Sequence, residues 1–178
     1  MKIAILSGSP HKNGTTTRLI ECFSDGAKAS GHSVRRFDVA FMNIHPCTAC
    51  DACHRDEHTG CIFQDDMTKI AAGLADADCI VFATPIYYFG MNGQLKTVID
   101  RFYGIEPTIR KGQKSMLITA MSDNSEATIA PTNETYKSIV KWLEWNNVGI
   151  LNAYGCETPN DLKGTDYEAN AYELGRGL

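Results

Sequence analysis

The apolar residues of this 178-residue chain change their spacing repeatedly along the sequence, and this alternation limits the folds that the chain can adopt. Short, nearly continuous apolar runs predict strands that are buried on both faces. Between these runs, apolar residues recur every three or four positions, which predicts amphipathic helices. Four of the five predicted strands lie in the segments KIAILSG, CIVFATP, KSMLITAM and GILNAYG, and the second strand in chain order, GHSVRRFDV, is predicted after a Gly that ends the first helix.

One helix is predicted between each pair of successive strands, and the closing segment YEANAYELGRGL predicts a further helix. Strands that alternate with helices of this length form a parallel sheet, because right-handed crossovers place the helices on both of its faces. The sequence therefore predicts an α/β fold with a doubly wound, five-stranded parallel sheet. The predicted helical faces are Leu19, Ile20, Phe23 and Ala27; Met67, Ile70, Ala71 and Leu74; Leu95, Val98, Ile99 and Phe102; and Tyr136, Ile139, Val140 and Leu143.

Length, composition and charge narrow the class of protein. A chain of 178 residues with 43% hydrophobic residues suits one domain with a sizeable core, so we expect a single domain over residues 1–178. The formal net charge of −4 and the lack of any Lys/Arg run longer than two argue against a nucleic-acid surface. No apolar run approaches the ~18 residues of a membrane span, and the first run is too short for a signal peptide. We therefore expect a cytoplasmic protein with small-molecule partners and with neither nucleic-acid nor membrane partners.

A polar loop with the sequence SGSPHKNGTTTRL follows the first predicted strand. In an open α/β sheet the ligand binds beyond the carboxyl ends of the strands, where the strand order reverses, so chemistry is expected in the loops after the first, third and fourth predicted strands. The Ser, Thr and Asn side chains of the loop lead into a helix N-terminus, whose free N–H groups and positive dipole end attract phosphate. The loop lacks the GxxxxGK[ST] and GxGxxG motifs, which favours a phosphomonoester over ATP or NAD. The alternative is that these hydroxyls only cap the helix.

Three consecutive aromatic residues, Tyr87, Tyr88 and Phe89, follow the third predicted strand. An exposed aromatic cluster is a liability unless a flat ligand or another subunit covers it. A phosphate cradle and a platform for a planar ring at neighbouring strand ends together indicate flavin mononucleotide (FMN). The alternative is that the aromatic residues pack at a subunit interface.

Four of the seven cysteines lie in one loop, at residues 45–64, in the pattern CxxCxxCx7C. They are Cys47, Cys50, Cys53 and Cys61. Disulfides are rare in a reducing compartment, and overlapping CxxC steps suit one cubane cluster better than zinc, whose CxxC pairs are usually far apart. Free or oxidised thiols, with the insert HRDEHTG facing solvent, are the alternative. The other cysteines, Cys22, Cys79 and Cys156, are expected in the core.

Several of these segments together resemble the NADPH-dependent FMN reductase family of flavodoxin-like proteins, and especially its iron-sulfur flavoprotein branch. The similarity extends over nearly the whole chain. Each segment alone is a weak signal, whereas the combination of the first loop, the cysteine cluster and the PIYYF segment is specific. The segments are GSPHKNGTTTRL, PCTACDAC, GCIFQDDM, ADCIVFATPIYYFGMNGQLKTVIDRF and AYELGRGL.

The resemblance implies that the first loop holds the phosphate of FMN and that the loop after the third strand contacts its isoalloxazine ring. It also implies a [4Fe-4S] cluster on the four clustered cysteines, and a homodimer or a pair of dimers with the ring near a subunit boundary. His11 departs from the family pattern, which usually has Arg there, and histidine carries less positive charge near neutral pH. The implied phosphate contacts are Ser9, His11, Lys12, Asn13, Thr15, Thr16 and Thr17, and the implied ring contacts are Thr84, Pro85, Ile86, Tyr87, Tyr88 and Phe89.

The expected activity is that of an FMN-dependent NAD(P)H oxidoreductase that passes electrons from reduced nicotinamide through FMN to a small acceptor such as a quinone or a flavin. Flavin chemistry belongs to the cofactor, so no catalytic acid–base pair is predicted. We interpret Asp65 and Asp66 as helix caps, and Asp100 and Arg101 as a helix-end ion pair. Two alternatives are a non-catalytic electron carrier that works with ferredoxin and a flavin-free α/β binding domain.

Overall fold

The computed structural model describes residues 1–55 and 60–178, so residues 56–59 of the insert HRDEHTG lie outside the described residues. Six strands and six helices form the fold in this part of the chain. The strands are β1 (Lys2–Ser7), β2 (Ser33–Asp38), β3 (Cys79–Tyr87), β4 (Gly90–Met91), β5 (Lys114–Ala120) and β6 (Asn146–Ala153). The helices are α1 (Thr15–Ala29), α2 (Met67–Ala75), α3 (Gly93–Asp100), α4 (Glu106–Ile109), α5 (Glu126–Trp142) and α6 (Tyr167–Arg176).

Five of the strands run parallel in the order β2-β1-β3-β5-β6. The chain steps outward from β1 to β2, returns to the other side of β1 at β3, and then continues outward through β5 and β6. The strand order therefore reverses between β1 and β3, and such a reversal opens a crevice at the carboxyl ends of the strands. This order is that of flavodoxin-like folds and confirms the predicted doubly wound parallel sheet.

Two hydrophobic clusters cover the two faces of the sheet. Successive strand residues point to opposite faces, so Ile5 and Leu6 of β1 enter different clusters. Helices α1 and α6 pack on one face, whereas α2, α3 and α5 pack on the other. The predicted core cysteines Cys22, Cys79 and Cys156 are all buried. In the part of the chain that the structure describes, none of the helices combines the length and hydropathy that a bilayer span requires.

The third strand is longer than the sequence predicts. β3 continues through Pro85 to Tyr87, turns at Tyr88 and Phe89, and pairs antiparallel with the two-residue β4. Both turn residues have positive φ, 46° and 65°, which two-residue hairpins usually reserve for Asn, Asp or Gly. Thr132 Oγ1 on α5 donates to the carbonyl of Phe89 at 3.2 Å and holds the turn against the helix. We call residues 84–92 the aromatic hairpin.

Candidate functional site

A cavity of about 700 Å³ opens at the carboxyl ends of β1, β3, β5 and β6. It occupies the crevice that the reversal of strand order creates. Its volume falls within the range of roughly 300–1,000 Å³ that is typical of small-molecule sites. The lining residues are Ser9, Pro10, His11, Lys12, Asn13, Gly14, Thr15, Thr16, Pro85, Ile86, Tyr87, Ala120, Met121, Ser122, Cys156, Glu157, Thr158 and Pro159.

The N-terminus of α1 forms one end of this cavity. Gly14 caps the helix without a side-chain hydrogen bond, and the first turn contains no acidic residue. The first N–H groups of a helix have no acceptor within it and lie at the positive end of its dipole. Thr15 Oγ1 is buried and has no hydrogen-bond partner among the described residues. An anion with several acceptor oxygens satisfies all of these groups, so the residues present fit the phosphate of FMN.

The hydroxyl groups of the first loop divide into two sets. Thr15 and Thr16 line the cavity, whereas Thr17 is buried and is not among the residues that line it. Thr17 Oγ1 donates to the carbonyl of His11 at 3.1 Å, so it supports the loop. Ser9 lines the cavity and also supports the loop, because its Oγ accepts from the His11 N–H at 3.2 Å. The structure therefore separates candidate phosphate ligands from residues that shape the loop.

The exposed polar and ionisable residues of the cavity lie at its rim. His11, Lys12 and Asn13 are exposed there, and Glu157 is exposed on the far side. Lys12 Nζ lies 5.1 Å from the centroid of the Phe41 ring, a cation–π distance that draws the ammonium toward this ring. The end of the cavity at the first loop therefore presents chiefly N–H and hydroxyl donors.

The aromatic hairpin contributes the neighbouring side of the cavity through residues 85–87. Thr84 is fully buried behind this wall. Tyr88 and Phe89 lie at the tip of the hairpin, where they are 98% and 55% exposed. Three of the six predicted ring contacts therefore face the cavity, one supports the wall from behind, and two present aromatic surface to solvent.

A buried hydrogen-bond network joins the first loop to the aromatic hairpin. Asn92, which is 1% exposed, caps the N-terminus of α3, and its Nδ2 donates to the carbonyl of Gly8 and to Gln94 Oε1. Its backbone N–H donates to Thr84 Oγ1 at 3.1 Å. A Cβ on Gly8 would lie 2.2 Å from Asn92 Oδ1, so this close approach requires glycine. The network fixes the spacing between the first loop and the aromatic hairpin on the two sides of the cavity.

The far wall of the cavity consists of residues that are absent from the predicted site. Residues 120–122 lie at the end of β5, and residues 156–159 follow β6. The rule that ligands bind beyond the carboxyl ends of parallel strands could have indicated these residues, because β5 and β6 end at the same edge of the sheet as β3. The Thr158 N–H donates to Asp161 Oδ2 at 2.7 Å, which lowers the pKa of Asp161 and fixes this loop.

The four clustered cysteines line a second cavity, of about 40 Å³, which in the described residues has no lining residue in common with the first. The Ala52 N–H donates to the Cys50 sulfur and lowers the pKa of this thiol, whereas burial raises the pKa of Cys53. Within residues 1–55 and 60–178, no three Cys, His, Asp or Glu side chains surround a common point at metal-binding distance. The four thiols are a suitable donor set for an iron–sulfur cluster, but their arrangement here is not that of a formed metal site.

Arg101 also lines the cysteine cavity, and its charge is paired with Asp65. The predicted ion pair between Asp100 and Arg101 is wrong, because Asp100 pairs with Lys96, one turn earlier. Adjacent residues on a helix do not face each other, whereas residues four apart do. Burial by itself would raise the pKa of Asp65, but the Arg101 guanidinium and two backbone N–H groups lower it. Asp65 is therefore an ion-pair partner as well as a helix-start residue.

Residues 1–149 match the model of the family described as NADPH-dependent FMN reductase. The chain belongs to this family. It is 34% identical over 128 residues to an iron-sulfur flavoprotein of Methanocaldococcus jannaschii, in a match that covers 70% of this chain and 64% of the relative. It is 33% identical over 78 residues to an FMN-dependent NADH:quinone oxidoreductase of Bordetella petrii, a match that covers 38% of each chain. The chain spans less than two thirds of the length of these relatives.

The flavodoxin-like fold of this family member recurs in solved structures. An NAD(P)H:quinone oxidoreductase from Methanothermobacter marburgensis has a TM-score of 0.78 at 18% identity. The match covers 100% of this chain and 96% of that protein. At this identity the likeness establishes the fold, so the conclusions about function depend on the cavity and on the family.

Proposed function

We propose that this family member is an FMN-dependent NAD(P)H oxidoreductase that passes electrons from reduced nicotinamide to a small acceptor such as a quinone or a flavin. The proposal depends on one observation: a single cavity joins the unpaired N-terminus of α1 to the wall of residues 85–87 at the reversal of strand order. The FMN-dependent NADH:quinone oxidoreductase among its relatives supports it. We further propose one FMN-binding domain over residues 1–178, located in the cytoplasm.

The residues of the chain bind the cofactor, orient it and exclude water. Thr15, Thr16 and the free N–H groups of α1 would hold the phosphate, and Thr15 Oγ1 would gain the hydrogen bond that it lacks. Ile86 and Met121 line the cavity with apolar surface that keeps water from a bound ring. When bound, FMN supplies two-electron chemistry between reduced nicotinamide and the acceptor. No acid–base pair is therefore proposed.

Anaerobic mixing of the FMN-loaded protein with NADPH or NADH is expected to bleach the flavin absorbance within seconds to minutes. A quinone added afterwards should restore the absorbance, because the acceptor removes the electrons. Reduced ferredoxin serves as the comparison donor. Bleaching by ferredoxin alone would support the electron carrier instead, and a protein that binds no FMN would support the flavin-free binding domain.

We also propose that the protein is a homodimer or a pair of dimers. Tyr88 and Phe89 expose aromatic surface beside the wall of the cavity. Large exposed aromatic side chains of this kind are typical of interfaces. A second copy of the chain that covers the hairpin tip would remove this surface from water.

A second proposal is that the four clustered cysteines hold a [4Fe-4S] cluster. They line one cavity, and a relative is named an iron-sulfur flavoprotein. Thiolates are the usual ligands of such clusters, so the donor set fits even though the sulfur positions would have to adjust.

Cys50→Ser is expected to remove the iron and the broad visible absorbance of protein purified without oxygen, yet to leave FMN bound. The physical reason is that different residues line the two cavities. Iron and sulfide analysis, with an absorbance spectrum, measures the first effect, and FMN released on heating measures the second. Cys22→Ser, on α1 outside the cysteine cavity, is the matched control. Equal iron content in Cys50→Ser and the parent would contradict the cluster, and loss of FMN together with iron would contradict the separation of the sites.

A further inference from the structure

Both ends of the cysteine-rich segment meet at one guanidinium group. Arg101 Nη1 donates to the carbonyl of His45 at 2.8 Å and to Asp65 Oδ2 at 2.9 Å. His45 begins the segment of residues 45–64, and Asp65 directly follows it. One side chain on the turn after α3 therefore joins the backbone of His45 to the side chain of Asp65, 20 residues further along the chain.

This attachment is buried and has more than one component. The side chains of Arg101 and Asp65 are 4% and 1% exposed. The His45 N–H donates to Asp65 Oδ2 at 2.9 Å, and the His45 ring stacks on Phe63 with centroids 4.8 Å apart. The Arg101 guanidinium lies 5.4 Å from the centroid of the same Phe63 ring. Charge-assisted bonds are stronger than neutral ones, and loss of one buried partner leaves the other unpaired.

Among the residues that the structure describes, those between His45 and Asp65 make weaker contacts with the turn after α3. Tyr103 Oη donates to Asp51 Oδ1 at 2.8 Å, and His54 Nε2 lies 2.9 Å from the carbonyl of Tyr103, but both contacts are exposed to water. Exposed polar contacts contribute little to stability. Cys53 packs against the same turn, because a Cβ on Gly104 would lie 3.3 Å from the Cβ of Cys53. Cys53 is half-buried, and its partial protection therefore depends on how firmly the segment is held against the turn that begins at Arg101.

We propose that Arg101 is the positioning residue for the four clustered cysteines: it ties both ends of their segment to the turn after α3 and so holds the thiols on one cavity. The role is mechanical, because Asp65 neutralises the charge of Arg101 within the same bidentate contact. Lysine cannot take this role fully, since a single ammonium lacks the planar fork that reaches Asp65 and the His45 carbonyl together. The proposal requires neither FMN nor bound iron.

The test measures the alkylation rate of each cysteine in the folded protein by iodoacetamide and mass spectrometry. The double variant Arg101→Met/Asp65→Leu replaces the buried pair with apolar groups and leaves no unpaired charge. We expect alkylation of Cys53 to accelerate by about tenfold or more, because the segment opens locally while the rest stays folded. Arg101→Lys should give a rate between those of the parent and the double variant. FMN affinity should stay within about threefold of the parent in each variant.

Glu134→Leu/Lys137→Met is the matched control, because it removes an exposed ion pair on α5, whose residues do not line the cysteine cavity. Its Cys53 rate should equal that of the parent, because exposed pairs are weak. An unchanged Cys53 rate in the Arg101 double variant would overturn the proposal. An equal acceleration at Cys79, in the core, would also overturn it, since the pair would then stabilise the whole fold. If Arg101→Lys gives the parent's Cys53 rate, a positive charge alone is enough to hold the segment. That result would refute the role of the planar guanidinium group.

Discussion

Thr16→Asp is expected to abolish FMN binding without unfolding the protein. Thr16 lies in the first turn of α1 and lines the phosphate end of the cavity. A carboxylate there accepts from the N–H groups that would otherwise receive the phosphate, and it repels the phosphate itself. Two unit charges about 4 Å apart interact by about 4 kcal/mol at an effective dielectric constant of ~20. The affinity for FMN should therefore fall by about 1,000-fold or more.

The same substitution should leave the apoprotein folded, because the helix dipole offsets part of the cost of placing a carboxylate at a residue that is 2% exposed. An acidic residue in the first turn of a helix interacts favourably with the dipole, by about 0.3–1 kcal/mol. Flavin fluorescence titration measures the affinity, and thermal unfolding measures the stability. Thr16→Val, which only removes the hydroxyl, should weaken FMN binding by about 10- to 100-fold.

Thr135→Asp is the control for the added charge, because Thr135 is exposed on α5. It should bind FMN like the parent. If Thr16→Asp binds FMN within about tenfold of the parent, the N-terminus of α1 does not hold the phosphate.

Asn92→Ala is expected to lower both the free energy of unfolding and the affinity for FMN. The substitution removes the buried bonds to the Gly8 carbonyl and to Gln94, and it breaks the contact with Thr84. An unsatisfied buried carbonyl costs about 1–3 kcal/mol, so we expect a loss of stability of about 2–4 kcal/mol once the lost packing is added. FMN affinity should fall by about tenfold or more, because the first loop and the aromatic hairpin lose their common anchor.

Gln94→Ala is the control for the Asn92 network. Gln94 is exposed and accepts one bond from Asn92, so its loss leaves the link between Asn92 and Gly8 in place. Urea unfolding and flavin titration should give values close to those of the parent. If the two variants lose FMN affinity equally, the link to Gly8 does not set the geometry of the cavity.

The sheet and the position of the cavity could be predicted because both follow from periodic signals. The five predicted strand segments became the five parallel strands, and the loop after β1 became one end of the cavity. Which hydroxyls face the cavity could not be predicted, since Thr15, Thr16 and Thr17 differ only in their direction around a helix. Helical geometry sets the angles between the three side chains. Which of them faces the cavity depends on the rotation of the helix, and here Thr17 faces the carbonyl of His11 and donates to it.

The hairpin and the partner of Arg101 could not be predicted for different reasons. Tight turns are predicted from Gly, Asn and Asp, whereas the two central residues of this turn are Tyr88 and Phe89. Arg101 pairs with a residue 36 positions away, and no local pattern specifies a contact at that separation. The cavity walls that follow β5 and β6 could have been predicted, because the loops after all parallel strands lie at the edge of the sheet where ligands bind.

Tyr88 and Phe89 form a turn that Asn and Gly would form with less strain. A left-handed backbone costs a side-chain-bearing residue roughly 1–2 kcal/mol. Folding alone therefore gives no reason for two rings at this turn, whereas contact of the hairpin tip with another molecule would offset their backbone cost. Asn-Gly in place of Tyr88 and Phe89 should accordingly relieve strain in the isolated chain and weaken whatever contact the tip makes.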